Sequence, residues 1–160
     1  MTLQALNRLD KPALAKTLHD CCGSNAWVNK MLTVFPVPDA QTLFAAAWGN
    51  WHACAEADWR EAFSQHPKIG EKTTNTVAAA EQAGARIAST DTLEALAEGN
   101  LRYEKKFGYI YIVFASGKSA WEMLEILNTR LNNRPEDEIL IAMAEQEKIT
   151  RHRLEKLLHE

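Results

Sequence analysis

Leu93-Glu-Ala-Leu96-Ala-Glu-Gly-Asn100-Leu-Arg-Tyr103-Glu-Lys-Lys-Phe-Gly108-Tyr109-Ile110-Tyr111-Ile112-Val-Phe-Ala115-Ser-Gly-Lys-Ser119-Ala-Trp121, running on to Leu131, is the stretch whose reading decides the fold. Leu93, Leu96, Ala97, Asn100, Leu101 and Glu104 recur at the spacing of one helix face. A polar Asn100 therefore falls in an apolar stripe. Gly108 stops that helix, and the β-branched and aromatic residues after it carry no helical period, so 109–115 reads as one extended, largely buried piece. Ser119 followed by Glu122 is a capping box, and a second helix starts there. A lone extended segment between helices has no ladder to pair its N–H and C=O groups. It suits the presentation of backbone donors and acceptors to a small polar ligand, and it equally suits a core crossover that pairs with loops or water.

Outward from this stretch the chain reads as helices. Toward the amino end, Asp10-Lys-Pro12 starts a helix whose Leu14, Leu18 and Cys21 form its buried face and which Gly23 ends. Ser24 caps the next, with Trp27, Met31 and Leu32 inward, until Pro36 and Pro38. A third runs from Thr42 through Trp48, Trp51 and Cys54, and a short one after Asp58 delivers the chain to Ser64-Gln-His66-Pro67-Lys-Ile-Gly70. Residues 71–84 carry a further helical pattern. Toward the carboxyl end, Ala120, Trp121, Leu124, Leu127 and Leu131 make one stripe, closed by Asn132-Asn133. Pro135 with Glu136, Asp137 and Glu138 opens the last helix with acids where the macrodipole favours them. The expectation is all-α: one domain over 1–160, a non-symmetrical bundle of seven or eight helices with one short extended connection near 109–115.

Composition agrees with one domain: 160 residues at 46% apolar content make one sizeable core. A net charge of −3, with signs alternating along the chain, favours neither nucleic acid nor an anionic membrane as partner. Cys21, Cys22 and Cys54 are odd in number and lack CxxC spacing, which reads as reduced thiols of a cytoplasmic chain. The first residues hold no signal-peptide run, and no apolar stretch approaches the roughly 20 residues of a membrane span.

Candidate chemistry is sparse. Of the histidines, His19 and His159 sit at helix ends and His52 and His152 within helices; only His66 is set by an X-Pro junction outside the α region. An imidazole there can act as acid or base near neutrality, and it also fits an ordinary surface residue. Glu81 beside Gln82 offers a carboxylate and an amide to a ligand with N–H and carbonyl groups, or a solvated helix face. Arg151 and Arg153 could hold a carboxylate, or serve the helix dipole alone. No spacing suits a metal, and Gly117-Lys118-Ser119 lacks the first glycine of a phosphate loop, position 112 being Ile. An enzyme built on these residues works without a bound cofactor.

His66-Pro67-Lys-Ile-Gly70, Glu81-Gln82-Ala-Gly84, Asn100-Leu-Arg-Tyr103 through Phe107-Gly108-Tyr-Ile-Tyr111, Gly117-Lys-Ser119 and Lys148 through Arg153-Leu, in this order, resemble the 2-oxo-4-hydroxy-4-carboxy-5-ureidoimidazoline (OHCU) decarboxylases of urate breakdown. The resemblance covers essentially the whole chain. It implies a cofactor-independent, all-α enzyme, usually a homodimer, that converts OHCU to (S)-allantoin. It also implies His66 as catalytic acid/base, Glu81 acting on or orienting the substrate, and Arg153 rather than Arg151 binding it. Pro67, Gln82 and the backbone of Tyr109, Ile110, Tyr111 and Ile112 would line the pocket. One departure is Ala78, where the family commonly has Ser; any hydroxyl role is lost or passes to Thr74 or Thr76. The His-to-Glu interval is also short. Rival readings are a hydrolase of a related imidazoline and a non-catalytic helical binding module.

Overall fold

A computed structural model describes residues 1–68 and 89–159. Among the described residues there are eight helices and no strand: α1 (Leu3–Asn7), α2 (Lys11–Cys21), α3 (Asn25–Leu32), α4 (Ala40–His52), α5 (Glu56–Ser64), α6 (Thr90–Phe107), α7 (Ala120–Arg130) and α8 (Pro135–His159). The all-α expectation holds. The helix expected over 71–84 lies outside the described residues, and α1 is one that the sequence pattern leaves out. No helix among the described residues is long and apolar enough to cross a membrane.

These residues group into two compact units, one of Met1–Ala62 with Gln146–Glu160, the other of Phe63–Glu145. In the first unit the starts of α1 to α4 are each built from a short polar side chain that accepts an otherwise orphaned N–H. Thr2, Asp10, Ser24 and Asp39 accept from Ala5, Ala13, Trp27 and Thr42 respectively. The Asp39 cap moves the start of α4 two residues ahead of the expected Thr42. Large side chains then interlock: Trp27 Nε1 donates to the Ala47 carbonyl at 3.1 Å, and Trp59 Nε1 to the Trp51 carbonyl at 3.0 Å. Trp27 thus buries its ring completely and Trp59 buries part of its own, each with the N–H satisfied. Leu32 is only half-buried, and Trp48 is 55% exposed. The three cysteines are free and buried; burial pushes the Cys22 thiol up to about 12, which keeps it an unreactive thiol at neutral pH.

The second unit is organised by α6 and α7. The buried face of α6 is Leu96, Gly99, Asn100, Tyr103 and Phe107, whereas Ala97 and Leu101 face solvent. The stripe expected from Leu93 to Glu104 is therefore rotated, because the rings of Tyr103 and Phe107 bury more apolar area than Ala97 and Leu101 could. Those rings pack with Tyr109, Tyr111 and Phe63, with centroid separations from Tyr103 of 4.6 Å to Phe107 and 5.6 Å to Tyr111. On α7, Met123 and Arg130 take inward positions, and Trp121, expected inward, is 58% exposed.

Gly99 marks the close approach of α6 and α7. A Cβ placed there would lie 2.6 Å from Leu127 Cδ2, and Leu127 is completely buried and cannot swing away. Gly99→Ala gains about 1 kcal/mol of helix propensity but overpacks the core at a cost of about 1–3 kcal/mol. The expected outcome is a net loss, read as a lower urea midpoint at unchanged slope; a raised midpoint would mean that α6 and α7 separate freely.

Candidate functional site

His66 stands two residues beyond α5. Its own N–H closes a turn on the Phe63 carbonyl at 3.2 Å, and Pro67 prevents any further helical turn. The side chain is half-buried. Lys68 pairs with Glu104 of α6 at 3.1 Å, with both side chains 40% exposed, a contact worth about 0–1 kcal/mol that fixes direction more than stability. Glu81 and Gln82, like Ala78, Thr74 and Thr76, lie outside the described residues.

Among the described residues of the second unit, the segment after α6 has the most unusual backbone. Gly108 ends the helix in the left-handed region, φ 86°, with its N–H on the Glu104 carbonyl at 2.8 Å, a geometry that favours glycine. Residues 109–115 then run without helix or strand, and Tyr109, Tyr111, Ile112 and Val113 are each 7% exposed or less. Side chains, not a ladder, hold this backbone. Arg130 Nη1 donates to the Ile112 carbonyl at 2.6 Å, the Phe114 N–H donates to Glu145 at 3.1 Å, and Lys118 Nζ donates to the Phe114 carbonyl at 2.8 Å. The Tyr111 hydroxyl reaches the Met123 carbonyl at 2.8 Å. Gly117, also left-handed, and the Ser119–Glu122 capping box then turn the chain into α7. Among the described residues, the backbone N–H groups of Ile110, Tyr111, Ile112 and Val113 take no partner. Four neighbouring buried or half-buried donors are costly unless water or a ligand meets them.

A feature that the sequence reading missed supports this segment. Arg130, at the last turn of α7, bonds Glu138 through Nε at 2.9 Å and Nη2 at 2.6 Å; the two are 5% and 0% exposed. The Tyr103 hydroxyl donates to the same carboxylate, and Asn133 Nδ2 donates to its other oxygen at 3.1 Å. Burial works against the Arg130 charge, but the bonds to Glu138 and the surrounding oxygens outweigh it and raise its pKa. Burial likewise pushes the Tyr103 and Tyr111 phenols up, so both remain protonated donors. In the sequence, Glu138 reads only as one of three acids in a first helical turn. Arg130 carries no signal except its place five residues before Pro135. Asn100, 3% exposed, has its Nδ2 without a partner, a second buried donor in the same unit.

In the first unit, Arg153 is 9% exposed and its Nη1 lies 3.4 Å from the carbonyls of Asp20 and Cys21, at the carboxyl end of α2, where a cation is favoured. Arg151 is a surface residue: it pairs with Glu155 at 2.8 Å and lies over the Phe44 ring, 4.6 Å from its centroid. His52 stacks on Trp48 at 4.0 Å and meets Glu147 at 3.2 Å, so its surroundings are accounted for on the surface. His66 and Arg153 fall in different units. Among the described residues no cluster of three or more His, Cys, Asp or Glu could hold a metal ion.

Together these observations define a class: an all-helical protein carrying a short, side-chain-braced main-chain segment with unused donors, suited to a small polar ligand. The OHCU decarboxylase family model matches residues 7–155, and the chain belongs to that family. It is 39% identical over 145 residues to the Arabidopsis thaliana uric acid degradation bifunctional protein, covering 86% of this chain and 45% of that protein. It thus spans just under half of that longer relative. It is 26% identical over 164 residues to the 2-oxo-4-hydroxy-4-carboxy-5-ureidoimidazoline decarboxylase of Halalkalicoccus jeotgali, covering 92% of that protein. A crystal structure of an OHCU decarboxylase in the presence of (S)-allantoin superposes with a TM-score of 0.81 at 40% identity, over 89% of this chain and 96% of that one.

Proposed function

We propose that this chain decarboxylates OHCU to (S)-allantoin and CO2, as a cofactor-independent carboxy-lyase of urate breakdown. The observation that carries the reading is the likeness, at 40% identity and over nearly the full length, to an OHCU decarboxylase whose crystal structure was determined in the presence of (S)-allantoin. The single-domain reading of 1–160 belongs to the same proposal, supported by a family match that runs through both units. So do a homodimeric state and a cytoplasmic location, the latter supported by three free, buried thiols.

The chemistry explains why such a site needs no cofactor. The carboxylate of OHCU sits on a carbon beside a C=N bond, so when CO2 leaves, the bonding pair flows into that imine and leaves an enol-like intermediate. The ring nitrogen that receives the pair takes up a proton, the hydroxyl gives up its own as its oxygen becomes the new carbonyl, and a proton delivered to the ureido-bearing carbon from one face completes allantoin, for a net uptake of one proton. His66 is the proton donor in this reading, a half-buried imidazole on a loop that Pro67 holds in place. Glu81 stands near the scissile carboxylate, disfavouring it by like charge and holding ureido N–H groups with Gln82. Tyr109, Ile110, Tyr111 and Ile112 line the pocket through their backbone, and the unused N–H groups of Ile110, Tyr111 and Ile112 support that role. Arg153 anchors a substrate carbonyl or oxyanion.

The decisive experiment generates OHCU from urate and follows the circular dichroism of the allantoin formed. Rapid formation of one enantiomer is expected; slow racemic product at the background rate would refute the assignment. The choice between arginines has its own test. Arg153→Lys, which keeps the charge but loses the planar fork, is expected to raise KM roughly 10-fold or more, whereas Arg151→Lys stays within about 2-fold. The reverse ranking would move the anchor to Arg151.

A further inference from the structure

The Arg130–Glu138 pair takes no part in the chemistry just described, yet it places two full charges where apolar side chains would cost less to bury. Its geometry shows what else it holds. Two guanidinium nitrogens, Nε and Nη2, are committed to Glu138, and the third, Nη1, is 2.6 Å from the Ile112 carbonyl. The carboxylate is fixed in turn by Tyr103 and Asn133, and the guanidinium plane lies 4.9 Å from the centroid of the Tyr111 ring. Three elements, α6, α7 and the start of α8, thus fix one guanidinium, and that guanidinium fixes one peptide plane.

A trans peptide carries its C=O and the following N–H on opposite sides. With the Ile112 oxygen turned to Arg130, the Val113 N–H is turned away from it, and it takes no partner among the described residues. We propose that Arg130 is a positioning residue for the reaction, which sets the Ile112–Val113 peptide so that the Val113 N–H meets a polar atom of the substrate. The inference rests on the reading above, in which the 109–112 segment lines the pocket. Only a fork can do this: a lysine at 130 reaches Glu138 or Ile112 as a point charge and cannot hold both in one plane.

Three measurements test it. Wild-type turnover of OHCU comes first, and its absence overturns the functional reading and this inference together. With turnover established, Arg130→Lys is compared with the triple variant Tyr103→Phe/Arg130→Met/Glu138→Leu, which removes donors, acceptor and charges at once and so retains a packed core. Both variants are expected to raise KM for OHCU roughly 10- to 100-fold, with kcat per folded molecule changed less than about 3-fold, the signature of lost ground-state and transition-state binding alike. A merely structural role lowers kcat in step with the folded fraction and leaves KM alone; an unchanged KM overturns the positioning role and leaves the decarboxylase reading standing. The third measurement needs no variant. On titration of wild-type protein with (S)-allantoin, the Val113 backbone amide resonance is expected to shift, and an unmoved resonance at saturation also overturns the inference.

Discussion

His66→Gln is expected to lose turnover by about 10²- to 10⁴-fold while its far-ultraviolet dichroism and melting transition stay those of the wild type. Glutamine keeps the approximate size and a hydrogen-bonding end but cannot carry a titrating proton, so the variant isolates proton delivery from shape. The side chain is half-buried, and the turn itself is built by its backbone N–H on the Phe63 carbonyl, which the substitution keeps. If decarboxylation ran without a protein proton donor, water would protonate the intermediate from either face. The variant should therefore also form allantoin of lower enantiomeric purity, measured on product collected at high enzyme concentration. Retention of more than about a tenth of the wild-type rate would remove His66 from the acid/base role.

Glu138→Leu is expected to be the most destabilising single change in the second unit, at about 3–5 kcal/mol. It leaves the Arg130 guanidinium, 5% exposed, without the carboxylate that answers its charge, and takes the acceptor from the Tyr103 hydroxyl and Asn133. Native chains hold only about 5–15 kcal/mol in total. At about 2–4 °C per kcal/mol for a chain of this size, the melting temperature should fall by roughly 6–20 °C. The triple variant that also removes the arginine charge and the phenol hydroxyl should recover most of this loss, because the penalty belongs to the orphaned ion and not to the missing pair. A single Glu138→Leu variant as stable as wild type would mean that the guanidinium finds another acceptor or water.

Much of the architecture is legible in the sequence because its signals are local. Asp10, Ser24 and Ser119 announce helix starts through side chains that reach an N–H three residues on, and Gly108 announces a stop through the one backbone conformation it favours. Which face of a helix turns inward is a weaker signal, since it depends on what the partner helix offers. Thus Leu101 and Trp121, apolar and in plausible register, lost their interior places to Tyr103 and Arg130. The extended segment could be foreseen from its β-branched and aromatic run, but its bracing could not. Arg130 and Glu138 are eight residues apart across a helix break, and nothing in their types separates a buried pair from two exposed ends of helices. Of the proposed site, His66 is the one candidate that the sequence singles out by itself, through the proline that follows it. The roles proposed for Glu81 and Arg153 come only from family likeness, because a carboxylate or guanidinium in a sequence carries no mark of its use.

The braced segment has a consequence for how such a site changes over generations. Side chains on α7 and α8 and at the turn before α7 hold Ile112 and Phe114 by their main-chain atoms, and in the proposed site the groups that 109–113 would offer to the substrate are main-chain atoms too. An N–H of the main chain survives every substitution at its own position except proline. The residues of this run are thus free to drift among side chains that fill the same space, and loss of recognition by point mutation must come from elsewhere in the chain, at the braces. Relatives that share little spelling between Tyr109 and Val113 could in this way keep one and the same ligand.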